Sequence, residues 1–93
     1  MRRGLVTLTF LPDPSGEPPR LALAVGRRVG GAVVRNRVRR RLREAARELA
    51  RSGRLPAGAY LASVGPGAAT AGFDRLRDDL EAAVGALHPA PAP

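Results

Sequence analysis

Hydrophobic and polar positions along the 93-residue chain sort into five elements. Residues 5–11 (LVTLTFL) alternate: Val6, Leu8 and Phe10 fall on one side and Thr7 and Thr9 on the other. That period of two predicts a half-buried strand. Residues 12–19 (PDPSGEPP) break it with turn formers. Residues 21–25 (LALAV) are a short apolar run, read as a second strand antiparallel to the first. Residues ~33–52 read as a helix, because Val38, Leu42, Ala45, Ala46 and Leu49 recur at i, i+4, i+7, i+8 and i+11. Gly53 and Pro56 stop it. Residues 59–64 (AYLASV) predict a third strand, and Gly65-Pro66-Gly67 a turn. Phe73, Leu76, Leu80, Val84 and Leu87 then mark a second amphipathic helix, with Gly72 or Thr70 as its cap and Asp74 in its first turn. The order strand, strand, helix, strand, helix predicts an α+β fold: a small α/β sandwich, a mostly antiparallel sheet with helices packed on it. Residues 1–88 form a single domain in this reading, and 89–93 (PAPAP) a disordered Pro/Ala tail.

Composition narrows the function classes. The chain has no cysteine, which excludes disulfide scaffolds and cysteine-ligated metal sites. No apolar run approaches the ~20 residues of a membrane span, and residues 21–25 are too short for a signal-peptide core. The expectation is a cytoplasmic protein with no membrane partner. The net charge is +8, and it is unevenly placed. Residues 1–56 carry fourteen Arg against four acids, and residues 57–93 two Arg against four acids. Such asymmetry points to one surface that faces a polyanion. All the cations are arginine, which grips phosphate bidentately and stacks on bases.

The charge is densest at residues 26–44, GRRVGGAVVRNRVRRRLRE, with eight arginines and one glutamate. The glycines around Arg27 and Arg28 predict a tight connection. It is not a P-loop, because no Gly-Lys-Ser/Thr follows. At 100° per residue, Asn36, Arg39, Arg40, Arg43 and Arg47 share one helix face without an acid, while Arg37, Arg41, Glu44 and Glu48 lie on a mixed, solvated face. On the mixed face Glu44 is expected to pair with Arg40 or Arg41. Arg35, Arg39, Arg43 and Arg47 form an i,i+4 ladder of like charges, each step costing ~0.2–0.5 kcal/mol unless an anion neutralises it. A loose basic arm does not fit, because the apolar stripe runs through the same residues. A membrane-surface helix does not fit either, because two of five stripe positions are Ala.

The run from Arg27 to Glu44 resembles the protein subunit of bacterial ribonuclease P, whose members carry K-[KR]-[VI]-G-x-A-V-x-R-N-x-x-[KR]-R-x-x-R-[EQ] without a gap. The resemblance extends over roughly residues 5–88. It implies a left-handed βαβ crossover around the motif helix, and it implies a function. The protein binds the catalytic RNA subunit of the enzyme and the 5′ leader of precursor tRNA. The RNA, with Mg2+ held by RNA and substrate, removes the leader endonucleolytically. By position, Arg28, Arg35, Asn36, Arg39, Arg40 and Arg43 match the family's RNA-contacting residues. Arg27 lies beside them, and Arg47 joins them by its place on the helix face. Gly30 and Ala32 match positions that serve the turn and the close packing of the crossover. Arg35, near the apolar stripe, is also open to a structural role.

The chain departs from the family at its start. A family member opens with a helix of the type L-[KR]-x-x-x-x-F and a first short strand, whereas Met1-Arg2-Arg3-Gly4 directly precedes what should be the second strand. A start codon placed too far downstream is the preferred explanation, and a truncation the other. Gly65 stands where an Arg often follows the last strand. Two other function classes compete: a general or ribosomal-type RNA-binding protein, and a stand-alone enzyme. The second has little to work with, because the lone His88 has no catalytic partner and Asp78, Asp79 and Glu81 read as a solvated helix face. No catalytic residue, no protein metal site and no protein oligomer are expected, and no activity from the protein alone.

Overall fold

The computed structural model describes residues 1–13 and 18–89. The turn-rich reading of 12–19 therefore lies partly, and the tail reading of 89–93 almost wholly, outside the described residues. The strands are β1 (Arg2–Arg3), β2 (Val6–Leu11), β3 (Arg20–Ala24) and β4 (Ala59–Val64), and the helices α1 (Ala32–Arg51) and α2 (Phe73–Leu87). Short 3-10 turns precede each helix, at Arg27–Val29 and Pro66–Ala69.

The sheet order is β1-β2-β4-β3. β2 pairs with β1 and β4 antiparallel, and β3 pairs with β4 parallel. The architecture is α+β, as expected, and the sheet is mostly antiparallel, with the β3–β4 pair making it mixed. Two expectations change. The runs at 6–11 and 20–24 are not neighbours, because β4 enters between them. A parallel β3–β4 pair cannot close through a tight turn and needs a crossover, and α1 is that crossover, making β3-α1-β4 the βαβ unit. The first strand is also present: Arg2↔Thr7 and Arg3↔Val6 add a two-residue β1 that no hydrophobic pattern announces.

Register explains which face is buried. Val6↔Val64, Leu8↔Ala62 and Phe10↔Tyr60 place side chains of β2 and β4 together, and Leu21↔Tyr60 and Leu23↔Ala62 add β3. This face packs against Val38, Leu42, Ala45 and Leu49 of α1 and Leu76, Leu80, Ala83 and Val84 of α2. Leu42 and Leu8 are fully buried, so truncating Leu42 to Ala would cost about 2–5 kcal/mol. The opposite sheet face, with Thr7, Thr9, Leu11 and Leu61, is uncovered, and Leu11 is 68% exposed.

Candidate RNA-binding surface

The Gly-rich connection between β3 and α1 is rigid for a local reason. Val29 drops into the core while Arg27 and Arg28 stay exposed beside it. Gly30 follows at φ 153°, where a Cβ would meet Val34 at 3.0 Å, so only glycine suits the position. Ala32 is the first residue of α1 and is exposed, so it starts the helix rather than packing tightly against the crossover.

Along α1 the arginines fall into two populations. Arg37 donates to the Ala69 carbonyl at 3.1 Å, and Arg41 donates to the Ala71 carbonyl at 2.7 Å. Both side chains cross to the turn between β4 and α2, which packs in turn against the Arg27–Val29 turn. The face read as simply solvated is thus an internal clamp. It missed detection because a backbone carbonyl leaves no mark in a helical wheel.

The second population faces outward. Arg27, Arg28, Arg40 and Arg43 are exposed, and among the described residues none has a hydrogen-bond or ion-pair partner. Arg39 donates to Asn36 Oδ1 at 3.0 Å, which aligns the two polar groups side by side. Arg35 is half-buried with its Nε out of water and without an acceptor. Arg47 is exposed, but it is not acid-free. Glu44 lies 3.6 Å from Arg47 and 3.5 Å from Arg51. The expected Glu44 pairs with Arg40 or Arg41 do not form. Arg41 is committed to Ala71, and the carboxylate lies against its C-terminal neighbours while Arg40 stays unpaired among the described residues. These exposed pairs are worth well under about 1 kcal/mol and yield readily to a stronger anion.

The acids of α2 are each engaged. Asp79 accepts from the Leu5 backbone N–H at 2.9 Å and from Arg75 at 2.8 Å, so it caps the β1–β2 turn rather than decorating a solvated face. Asp78 meets Arg77, and Glu81 pairs with Arg54. His88 ends α2. Tyr60 gives its single hydroxyl proton to the Pro56 carbonyl at 2.7 Å, so it accepts from His88 Nε2–H at 2.9 Å. Phe10 packs edge-on against the His88 ring, and burial raises the Tyr60 hydroxyl above its ordinary pKa.

An arginine-lined helix held in a βαβ crossover, fed by a Gly-rich basic turn, is what the sequence motif of residues 27–44 builds in space. The model of the ribonuclease P family matches residues 1–88. The chain belongs to the ribonuclease P protein family. Its fold is similar to that of the Staphylococcus aureus RNase P protein, with a TM-score of 0.77 at 18% identity, covering 90% of this chain and 75% of that one. A mutant of the S. aureus protein with defective mRNA degradation activity gives a TM-score of 0.78 at 18% identity, covering 89% and 69%. Among curated proteins no sequence matches. The family match begins at residue 1, in keeping with the β1 strand found there.

Family membership gives the chain a role in ribonuclease P and RNA as the general class of partner. Among the described residues no helix is long and apolar enough to cross a membrane. Magnesium has no fitting protein site among them either. The carboxylates of α2 are held by arginines, and no three metal-ligating side chains converge.

Proposed function

We propose that this chain is the cytoplasmic RNA-binding subunit of ribonuclease P, which holds the catalytic RNA with the outward arginines of α1 and the Arg27–Val29 turn. Arg27, Arg28, Asn36, Arg39, Arg40 and Arg43 contact phosphates, with Arg47 joining as Glu44 gives way. One observation supports this most: unpartnered arginines sit on consecutive turns of a helix whose position is fixed by a buried stripe on one side and carbonyl clamps on another. A helix whose Arg40 and Arg43 have no internal counter-charge among the described residues is suited to an external polyanion.

The uncovered sheet face is the second contact in this reading. Leu61, Thr7 and Thr9 lie between Arg2 and Arg20 at its edges, a mixture suited to an extended single strand. The 5′ leader of precursor tRNA is its proposed occupant. Cleavage of the leader belongs to the RNA, with magnesium bound by RNA and substrate, and the protein raises the affinity of the complex.

Reconstitution tests the reading. The 93-residue chain is mixed with a bacterial ribonuclease P RNA and a precursor tRNA labelled in its leader, at low millimolar magnesium. A sharp rise in cleavage over RNA alone is the expected result. Tight RNA binding with no effect on cleavage would instead favour a general RNA-binding protein. Cleavage by the protein without RNA would overturn the division of labour.

A further inference from the structure

The flank of α1 that faces β3 is not filled. A groove of about 220 Å³ opens there, with Leu21, Leu55 and Ala46 in its floor and Arg43, Arg47 and Ala50 along its helical wall. At 100° per residue, Arg35 and Arg39 continue the same flank towards the helix start, so the groove prolongs the arginine ladder. Its other wall is an edge strand, since among the described residues β4 is the only strand beside β3. Arg20 N–H bonds the Gly58 carbonyl at 3.0 Å. In a parallel ladder such bonds alternate by residue, so the backbone N–H and C=O of Leu21 point to the free edge.

Three chemistries thus meet in one slot: an apolar floor, planar guanidinium groups beside it, and unpaired peptide donors and acceptors at its lip. A phosphate alone would use the arginines and leave the floor wet. An aliphatic chain would desolvate the arginines without return. A flat heterocycle with polar edges, joined to a phosphate, satisfies all three. The volume is below the ~300–1,000 Å³ of pockets for drug-sized ligands, and suits one ring system.

We propose that this groove is a nucleobase subsite: a single base unstacked from the bound RNA lies over Leu21 and Ala46 while its flanking phosphates rest on Arg43 and Arg47. The inference rests on the RNA-binding reading and adds to it a place where the RNA must be irregular. A continuous helix offers no free base, so the protein selects a bulge or junction beside its phosphate contacts.

The probes are an RNA hairpin with one bulged 2-aminopurine and the same hairpin fully paired, each titrated with the full chain at fixed salt. The bulged hairpin is expected to bind about tenfold tighter, the size of one base-stacking contact, with a change in 2-aminopurine fluorescence. Ala50→Leu fills the groove at an exposed helical position where leucine is a good helix former. It should abolish the preference while leaving the paired hairpin's affinity, its salt dependence and the thermal melt unchanged. Equal, salt-dependent binding of both hairpins by the parent protein overturns the subsite and leaves the arginine face standing. Binding of neither overturns both. A preference that survives Ala50→Leu places the base elsewhere and sinks the proposal. So does a shift of the Leu21 amide resonance that follows protein concentration alone, which would mark a second copy pairing along β3.

Discussion

The two helices carry similar amphipathic patterns and opposite electrostatic solutions. On α2, Arg75 meets Asp79 at 2.8 Å and Arg77 meets Asp74 and Asp78 at 3.5 and 3.4 Å, so each cation is neutralised within about a turn. On α1, Arg40 and Arg43 face outward with no counter-charge among the described residues. Arginine content alone does not make a binding surface. What separates the helices is whether the fold supplies the anion itself. Within α1 the same contrast recurs: Arg37 and Arg41 are consumed by backbone carbonyls of the fold, and their neighbours one step round the helix are not.

The largest expected effect comes from removing the unneutralised charges. Arg39→Ala, Arg40→Ala and Arg43→Ala together should weaken RNA binding about 100-fold or more, at roughly 1 kcal/mol or a little less per lost phosphate contact. The domain should melt at the same temperature or slightly higher, because like-charge repulsion is relieved. A filter-binding titration and a melt on the same sample check both parts. Unfolding of this variant would break the comparison, since it would make the outward arginines structural.

A smaller effect, of the opposite kind, is expected at Arg41. Arg41→Ala removes a charge-assisted hydrogen bond to a part-buried carbonyl, worth about 1–2 kcal/mol. That corresponds to a melting-temperature loss of roughly 4–16 °C for a domain of this size. RNA affinity measured well below the melt should change less than about threefold. A large affinity loss with an unchanged melt would move Arg41 to the binding face.

Tyr60 tests the quiet end of α2. Burial raises its pKa, so the folded state keeps the phenol proton after the unfolded state has released it. The associated stability is complete below pH 10 and is lost as pH rises beyond it, through the folded value. Tyr60→Phe should cost about 1 kcal/mol at neutral pH through its lost hydrogen bonds and flatten the alkaline decline. An unchanged decline would place its cause elsewhere. The smallest effect belongs to Arg75→Ala. Its pair with Asp79 is exposed on the arginine side, so stability should move by less than about 0.5 kcal/mol and RNA affinity hardly at all.

Much of this was legible in the sequence because it is local. The buried stripe of α1 comes straight from the 3.6-residue period, and the bounds of α1, α2 and β4 follow from periodicity and from Gly and Pro. The strand order was not legible, because an apolar run at 21–25 does not state which neighbour it pairs with. β4 reaches its place between β2 and β3 only after the crossover. β1 is two arginines recruited by backbone pairing, with no pattern to read. In the site, the outward position of Arg40 and Arg43 follows from angle alone. The roles of Arg37, Arg41 and Asp79 depend on backbone groups distant in sequence (Ala69, Ala71 and Leu5). Glu44 pairs with Arg47 and Arg51 rather than with Arg40 or Arg41, a choice that spacing on one helix does not settle.

The most direct test of the central claim is the salt dependence of binding to a ribonuclease P RNA, for the parent chain and the Arg39/Arg40/Arg43 triple variant. With about five phosphates neutralised, log K should fall against log salt with a slope of about −3.5 to −4.5, and the triple variant, with about two left, should retain a slope of about −1.4 to −1.8. A parent slope near zero, or a variant slope equal to the parent's, would mean that the outward arginines of α1 do not hold the RNA.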